Sequence, residues 1–180
     1  MSRIILVTGG ARSGKSSFGE SIYDGLKDVV YIATAKIYDK EMEERVQQHK
    51  QSRPSQWNTF EGTYDLYNAI GEFKNYILDC LAVMTSNIMF DITAEYERIP
   101  VEKQKEVEDR VVQEIEKLIS KITSIEGNLV MVTNEVGWSI VPENHVARVY
   151  RDILGRVNQR AAKLCSEVYL VTCGIPMRIK

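Results

Sequence analysis

The stretch that decides the fold of this chain is the run GGARSGKS near its amino terminus, which consists of Gly9, Gly10, Ala11, Arg12, Ser13, Gly14, Lys15 and Ser16. A glycine, four variable positions and then Gly-Lys-Ser form the P-loop pattern. An apolar run at residues 4–7 precedes it, and residues 16–26 have the character of a helix. Because this order of strand, loop and helix is the setting that the pattern needs, we expect a nucleotide-phosphate site here.

Each fixed position of this run has a physical task. Gly9 and Gly14 let the backbone curl so that successive N–H groups point at phosphate oxygens. Lys15 is expected to reach the outer phosphates, and the Ser16 hydroxyl to bind the Mg²⁺ that accompanies them. A glycine-rich turn can match the pattern by chance, but the apolar run before it and the helical segment after it favour a nucleotide site.

The composition bounds the size and the partners of the protein. The chain has 180 residues, of which 44% are hydrophobic, so we expect one domain, residues 1–180, with a sizeable core. A formal net charge of −2 predicts no general attraction to nucleic acid or to an anionic membrane. Since no apolar stretch approaches the roughly 20 residues that span a bilayer and no signal-peptide pattern is present, we expect a cytoplasmic protein.

The three cysteines are Cys80, Cys165 and Cys173, an odd number without CxxC spacing. Each lies in or beside an apolar run, so we expect reduced core residues. The alternative is a reactive or metal-binding thiol.

Short β-branched runs alternate along the chain with segments of helical period. The expected strands are residues 3–8, 29–35, 75–80, 128–134 and 167–173. The clearest expected helices are residues 144–164 and 100–121, in which apolar residues recur at three-or-four spacing. After a turn at residues 174–176, residues 177–180 are expected to add a short antiparallel edge strand. These features predict an α/β P-loop nucleotide-binding fold with a mostly parallel sheet flanked by helices.

Ligands of such sheets bind outside the carboxyl ends of the strands. The small residues Ala33, Thr34 and Ala35 end the second expected strand and leave room for a base or ribose, although small residues are also ordinary packing. Asp79 ends an apolar strand as in a Walker B motif and is expected to hold Mg²⁺ directly or through water. Its alternative role is an N-cap. The polar cluster at residues 133–137 follows the next strand and suggests a binding role.

His49 lies near the end of a polar segment that we expect to be helical from about residue 40. By its chemistry alone, a single histidine there is more typical of a solvated residue or a partner of the helix dipole than of a catalytic group.

Several motifs together change the weight of that histidine. They occupy residues 9–16, 33–35, 45–50, 53–54, 57, 61, 79–81, 86–87, 133–137, 140–144 and 155–159. In this order they resemble the bifunctional adenosylcobinamide kinase/adenosylcobinamide-phosphate guanylyltransferase family. The Asn-Glu-Val-Gly and Gly-Arg-Val-Asn-Gln blocks are far more specific than the P-loop, and the resemblance runs nearly end to end.

The resemblance implies two reactions in cobalamin biosynthesis and salvage. The family phosphorylates adenosylcobinamide with ATP or GTP, and then transfers GMP from GTP to the new phosphate through a guanylylated histidine. The histidine of its Arg-x-x-x-His-Lys motif falls on His49. A neutral imidazole nitrogen would attack the α-phosphorus, which is nucleophilic catalysis, while Lys15 and Mg²⁺ stabilise the departing pyrophosphate.

The same resemblance assigns further contacts with the guanine nucleotide, and it implies a homotrimer. The implied contacts are Ala33, Thr34, Ala35, Lys50, Gln51, Ser52, Arg53, Glu61 and Leu81. Glu61 is chemically suited to accept hydrogen bonds from guanine, although it could be a surface acid. For the kinase step the family offers no clear single base; Arg12, Asn134 and Glu135 could take part.

Two places do not match the family pattern. Ser139 stands where the family tends to have a glycine, and no family motif is recognisable in residues 91–108. His145 is expected at the surface.

Alternative functions are a P-loop kinase of another small metabolite without a covalent intermediate, a GTP-binding switch, or a family member with one of the two activities. The switch is disfavoured because the chain has no Asn-Lys-x-Asp motif.

Overall fold

The computed structural model describes residues 2–36, 40, 44, 47 and 54–180. Seven strands and four α-helices occur in these residues. The strands are β1 (Ile4–Gly9), β2 (Val29–Ala33), β3 (Asn58–Glu61), β4 (Asn75–Asp79), β5 (Asn128–Val132), β6 (Glu167–Thr172) and β7 (Ile175–Arg178). The helices are α1 (Lys15–Ser21), α2 (Leu81–Thr93), α3 (Val101–Ser124) and α4 (His145–Leu164), with a 3-10 turn at Leu66–Ala69.

The strands form one sheet in the order β3-β2-β4-β5-β1-β6-β7. All neighbours are parallel except β6 and β7, which are antiparallel. The central strands are buried on both faces because α1 covers one face and α3 covers the other. The predicted α/β fold with a mostly parallel sheet and an antiparallel carboxyl-terminal edge is confirmed.

One strand of the sheet was not predicted, and the bounds of another differ from the prediction. β3 was missed because most of its residues are exposed and polar, as suits an edge strand. The last strand begins at Ile175, two residues earlier than predicted, because the turn is made by Cys173 and Gly174, both with positive φ. Four other strands end sooner than predicted, at Ala33, Asp79, Val132 and Thr172.

The helices follow the predicted pattern with changed ends. α1 stops at Ser21, earlier than expected, and turns follow up to Gly25, whose φ is 78°. α3 extends to Ser124 and buries its predicted apolar stripe at Val107, Val111, Ile115, Leu118 and Ile122. α4 begins at His145, where the Asn144 side chain accepts a hydrogen bond from the N–H of Ala147 at 3.1 Å.

Two long helices extend beyond the carboxyl edge of the sheet. α4 ends beside the amino end of β1, where the Ser166 N–H donates to the Ile4 carbonyl. Its 20 residues span about 30 Å, whereas a six-residue strand spans about 20 Å. Near its other end, His145 Nε2 accepts a hydrogen bond from the N–H of Ile99, just before α3. The first turns of α3 and α4 therefore project past the strand ends.

α2 joins this projection. It begins directly after β4, and the Tyr150 hydroxyl of α4 donates to the Ala82 carbonyl near its start at 3.0 Å. Later residues of α2, such as Phe90, lie beside earlier residues of α4, such as Val146. The two helices are therefore antiparallel, and α2 runs outward from the ligand-binding edge.

The amino end of β1 is joined to β6 by a charged contact that gives a pH prediction. The Arg3 guanidinium donates to both carboxylate oxygens of Glu167, one of them at 2.9 Å. This hydrogen bonding lowers the pKa of Glu167 from about 4.5 to about 2. Because the folded-state pKa is depressed, the stabilisation is present above pH 4.5 and is lost as the pH falls toward 2.

We expect Glu167→Gln to be less stable than the parent protein at neutral pH by about 1 kcal/mol, since Arg3 is half exposed and solvent screens the pair. The difference should shrink on acidification from pH 5 to pH 2. Urea unfolding of both proteins across this range measures it, with the exposed acid Glu72→Gln as control. A constant difference would contradict the assignment.

Candidate nucleotide site

The P-loop has the backbone shape that its sequence predicts. β1 ends at Gly9, the loop turns through positive φ at Arg12 (56°) and Gly14 (93°), and α1 begins at Lys15. The Lys15 ammonium donates to the Gly10 carbonyl at 3.2 Å across the loop. The N–H groups at the start of α1 thus lie next to a cationic side chain, which is an arrangement suited to phosphate oxygens.

Neighbouring strands hold this loop in place. The N–H of Glu135 after β5 donates to the Gly9 carbonyl at 3.0 Å, and the N–H of Gly174 in the β6–β7 turn donates to the Ser13 carbonyl at 2.8 Å. A Cβ on Gly9 would lie 2.4 Å from the Val171 carbonyl oxygen, so a larger residue does not fit. The loop is therefore fixed from both sides of β1.

Three buried polar atoms around the loop have no hydrogen-bond partner in the described part of the chain. They are the hydroxyl oxygens of Thr8 and Ser13 and the amide oxygen Oδ1 of Asn134. Buried polar atoms are normally paired. Their position at the end of β1, in the loop and after β5 suits contacts with a polar ligand or with its water.

The two predicted metal residues lie on or after strands that have one strand between them. Ser16 is in the first turn of α1, which follows β1, and Asp79 ends β4. Because β5 lies between β4 and β1, these two strands are about 10 Å apart. Asp79 Oδ2 accepts a hydrogen bond from the Tyr31 hydroxyl at 2.6 Å, whereas Oδ1 has no donor among the described residues. Those residues contain no cluster of three or more metal-ligating side chains. The set fits Mg²⁺ held by one hydroxyl, one carboxylate through water, and phosphate oxygens.

A buried polar network joins the ends of β2, β3 and β4. The Thr34 hydroxyl donates to the Cys80 carbonyl at 2.9 Å and accepts from the Cys80 N–H at 3.0 Å. Asn87 Nδ2 on α2 donates to the Thr34 carbonyl at 2.8 Å and to the Thr63 hydroxyl at 3.3 Å. Satisfied buried networks of this kind hold their members in one geometry.

The structure brings one group of predicted nucleotide contacts together. Ala33 and Glu61 are register partners at the ends of β2 and β3, and Thr34 and Ala35 follow. Glu61 is exposed, as a base-reading carboxylate needs to be. The Leu81 side chain is fully buried in the core, so a nucleotide contact at that position would use its main chain. His49, Lys50, Gln51, Ser52 and Arg53 lie outside the described residues.

Asn158 on α4 is a polar site residue whose contacts were not predicted. Its Oδ1 accepts from the Thr133 hydroxyl at 2.8 Å, and its Nδ2 donates to the Asn134 carbonyl at 3.0 Å. Both partners belong to the polar cluster beside the P-loop. The available signal was an asparagine one helical turn after Leu154, on the apolar face of α4.

The thiols and His145 differ in part from the predictions. Cys80 and Cys165 are buried as expected, and burial raises the pKa of each thiol to about 12. These thiols are therefore neutral at pH 7. Cys173 is exposed because it lies in the β6–β7 turn. His145 is half-buried, since it accepts the hydrogen bond of Ile99.

Comparison with known proteins decides the family. A family model described as cobinamide kinase / cobinamide phosphate guanyltransferase matches residues 5–179. This chain belongs to that family. It is 41% identical to the bifunctional adenosylcobalamin biosynthesis protein CobU of Escherichia coli strain K12, over 98% of this chain and 99% of that protein.

Two further relatives belong to the same group. Identity is 42% to CobU of Salmonella typhimurium, over 98% of this chain and 99% of the relative. Identity is 31% to the bifunctional adenosylcobalamin biosynthesis protein CobP of Pseudomonas aeruginosa, over 97% of this chain and 96% of the relative. The KaiC-like protein PH0186 of Pyrococcus horikoshii is a solved structure with 11% identity and a TM-score of 0.49, matched over 93% of this chain and 70% of that one.

In this cobinamide kinase/guanyltransferase family member, Ser139 lies in the loop after β5. Its hydroxyl donates to the Val136 carbonyl at 3.1 Å, so it closes a local turn after the polar cluster. Among the described residues, no helix is both long and apolar enough to span a bilayer.

The close contact between the P-loop and β6 can be tested by a matched pair of substitutions. We expect Gly9→Ala to lose about 1–3 kcal/mol of stability, because its methyl group would overlap the Val171 carbonyl. Gly10→Ala meets nothing within 4 Å and should change stability by less than about 0.5 kcal/mol. Urea unfolding measures the stability of the two variants, and calorimetric titration measures their affinity for Mg-ATP. Equal effects of the two substitutions would show that the contact with β6 is unimportant.

The Asn158 contacts give a second prediction. Asn158→Ala leaves the Thr133 hydroxyl and the Asn134 carbonyl without a partner, so we expect a loss of about 1–3 kcal/mol in stability and weaker Mg-ATP binding. The exposed neighbour Gln159→Ala is the control. Thermal unfolding with and without nucleotide measures both effects, and unchanged nucleotide affinity would limit Asn158 to a structural role.

Proposed function

We propose that this protein phosphorylates adenosylcobinamide with ATP or GTP, and then transfers GMP from GTP to the adenosylcobinamide phosphate. The observation that carries this proposal is the P-loop held between β5 and β6 in a chain that matches the family over nearly its whole length. The products would be adenosylcobinamide-GDP and pyrophosphate.

The kinase step rests on positioning and charge. Phosphoryl transfer needs little covalent help from a protein, and catalysis depends on alignment and charge stabilisation. Lys15 and the loop N–H groups would bind the phosphates, with Ser16 and Asp79 as the groups that would hold Mg²⁺. When bound, that ion would neutralise charge on the phosphate oxygens. Asn134 and Glu135 lie beside the loop and would orient the acceptor or the γ-phosphate.

The guanylyl transfer rests on His49, which the resemblance assigns and which lies outside the described residues. A neutral imidazole nitrogen would form a P–N bond to the α-phosphorus of GTP, and the P–O bond to pyrophosphate would break. An oxygen of the cobinamide phosphate would then form a P–O bond to the same phosphorus as the P–N bond breaks. The imidazole must be unprotonated to attack, so the rate of this step should fall when the pH is low enough to protonate the imidazole.

The guanine contacts follow the same assignment. The Thr34, Asn87 and Thr63 network holds Ala33, Ala35 and Glu61 at neighbouring strand ends, which favours these residues as one wall of the guanine site. Glu61 would accept hydrogen bonds from the guanine N–H groups, and Lys50, Gln51, Ser52 and Arg53 would contact the nucleotide from the segment that carries His49. The homotrimer and the cytoplasmic location stay predictions of the sequence analysis.

The covalent intermediate is the sharpest test. Incubation with Mg²⁺ and GTP labelled at the α-phosphate should leave acid-labile label on the denatured protein, because phosphoramidates hydrolyse in acid. We expect His49→Ala to lose the label. His145→Ala is the matched control, since it removes the only other histidine, and it should keep the label.

Label retained by His49→Ala would overturn the assignment of the nucleophile. Absence of label on folded, GTP-binding wild-type protein would leave the alternative of a P-loop kinase without a covalent intermediate. Phosphorylation of cobinamide by ATP would then be the deciding assay.

A further inference from the structure

An open groove of about 470 Å³ lies between α2 and α4. Met89, Phe90, Val146, Ala147 and Tyr150 form its apolar walls, and none of the described residues that line it is charged. Its volume lies within the roughly 300–1,000 Å³ of typical small-molecule sites. The reactions above assign no role to these five side chains.

The groove lies at the ligand-binding edge of the sheet. α2 runs outward from the end of β4, and α4 enters from beyond the carboxyl edge, so the space between them is above the strand ends. The segment from the P-loop to the groove is continuous: Glu135 binds the Gly9 carbonyl through its N–H, and Asn144 at the other end of the same loop lines the groove. The loop of residues 135–144 therefore connects the phosphate site with the groove.

Large apolar side chains are exposed on α2 and on the loop that leads to the groove, and we call them its apolar border. Phe90 on α2 is 53% exposed, and Trp138, Ile140 and Val141 in the loop that leads to Asn144 are 71%, 93% and 62% exposed. The loop is held at its end, where Arg148 donates to the Pro142 carbonyl at 2.8 Å. Clustered exposed apolar side chains of this kind mark a binding surface.

We propose that this groove and its apolar border bind the corrin ring of the cobinamide substrate, an inference that rests on the proposed function. A corrin ring is broad and flat, carries methyl groups over its faces and neutral amide groups at its rim, and so matches an uncharged apolar surface. Ser86 and Asn144 at the groove are the polar groups for ring amides. The aminopropanol arm of the ring would then extend along the loop of residues 135–144 to the P-loop.

The test compares substitutions that change the groove with matched changes elsewhere. Ala147→Phe fills the groove, and Phe90→Ser removes one wall. Thr123→Phe adds the same side chain at an exposed position of α3, and Ile179→Ser removes an exposed apolar side chain near the carboxyl terminus. The measured quantities are KM for cobinamide and KM for ATP in the kinase step, and cobinamide retained with the protein on ultrafiltration.

We expect both groove substitutions to raise KM for cobinamide about ten-fold, which is the effect of losing one good apolar contact, and to reduce the retained cobinamide. KM for ATP should stay within about two-fold, since the P-loop is untouched. Both control substitutions should match the parent protein.

Normal cobinamide KM and retention in both groove variants would overturn the proposal. A changed elution volume of either groove variant in size-exclusion chromatography would also overturn it, because the groove would then be a contact between copies of the chain. If the parent protein itself failed to phosphorylate cobinamide, the proposed function would fall. That outcome is distinct from a fully active parent whose groove variants behave normally.

Discussion

The close approach of Gly9 to the β6 backbone is the constraint on which the site depends. The position has no room for a Cβ, since that atom would lie 2.4 Å from the Val171 carbonyl oxygen. The approach is possible because β1 lies between β5 and β6, and both neighbours also bind the loop through the N–H groups of Glu135 and Gly174. The conformation of the P-loop thus depends on the order of the strands as much as on the glycines.

The second organising feature is the length of the helices relative to the strands. The strands have four to six residues, whereas α3 has 24 and α4 has 20, so the first turns of both helices project past the carboxyl edge of the sheet. α2 leaves the end of β4 in the same direction and packs against α4 through Tyr150. The helices form a wall at the carboxyl edge of the sheet, and the apolar groove in this wall is the site proposed for the corrin ring.

Buried polar contacts connect these two parts. Asn158 of α4 holds Thr133 and Asn134 beside the P-loop, while Asn87 of α2 holds Thr34 and Thr63 at the neighbouring strand ends. Each asparagine lies on the inward face of its helix, where an unpaired amide would be costly. The helices that form the groove therefore also fix the loops of the nucleotide site.

The sequence by itself determined the P-loop, the parallel α/β fold, the burial of the α3 stripe and the family, because these depend on local spacing and on apolar periodicity that one chain carries in plain order. Only the tertiary structure decided the polar edge strand β3, the exposure of Cys173, the burial of Leu81, the role of Asn158 and the groove between α2 and α4. Each of these features depends on which residues meet across the sheet or between helices. Contacts between residues that are far apart in the sequence produce no periodic pattern in the sequence, so it could not predict them.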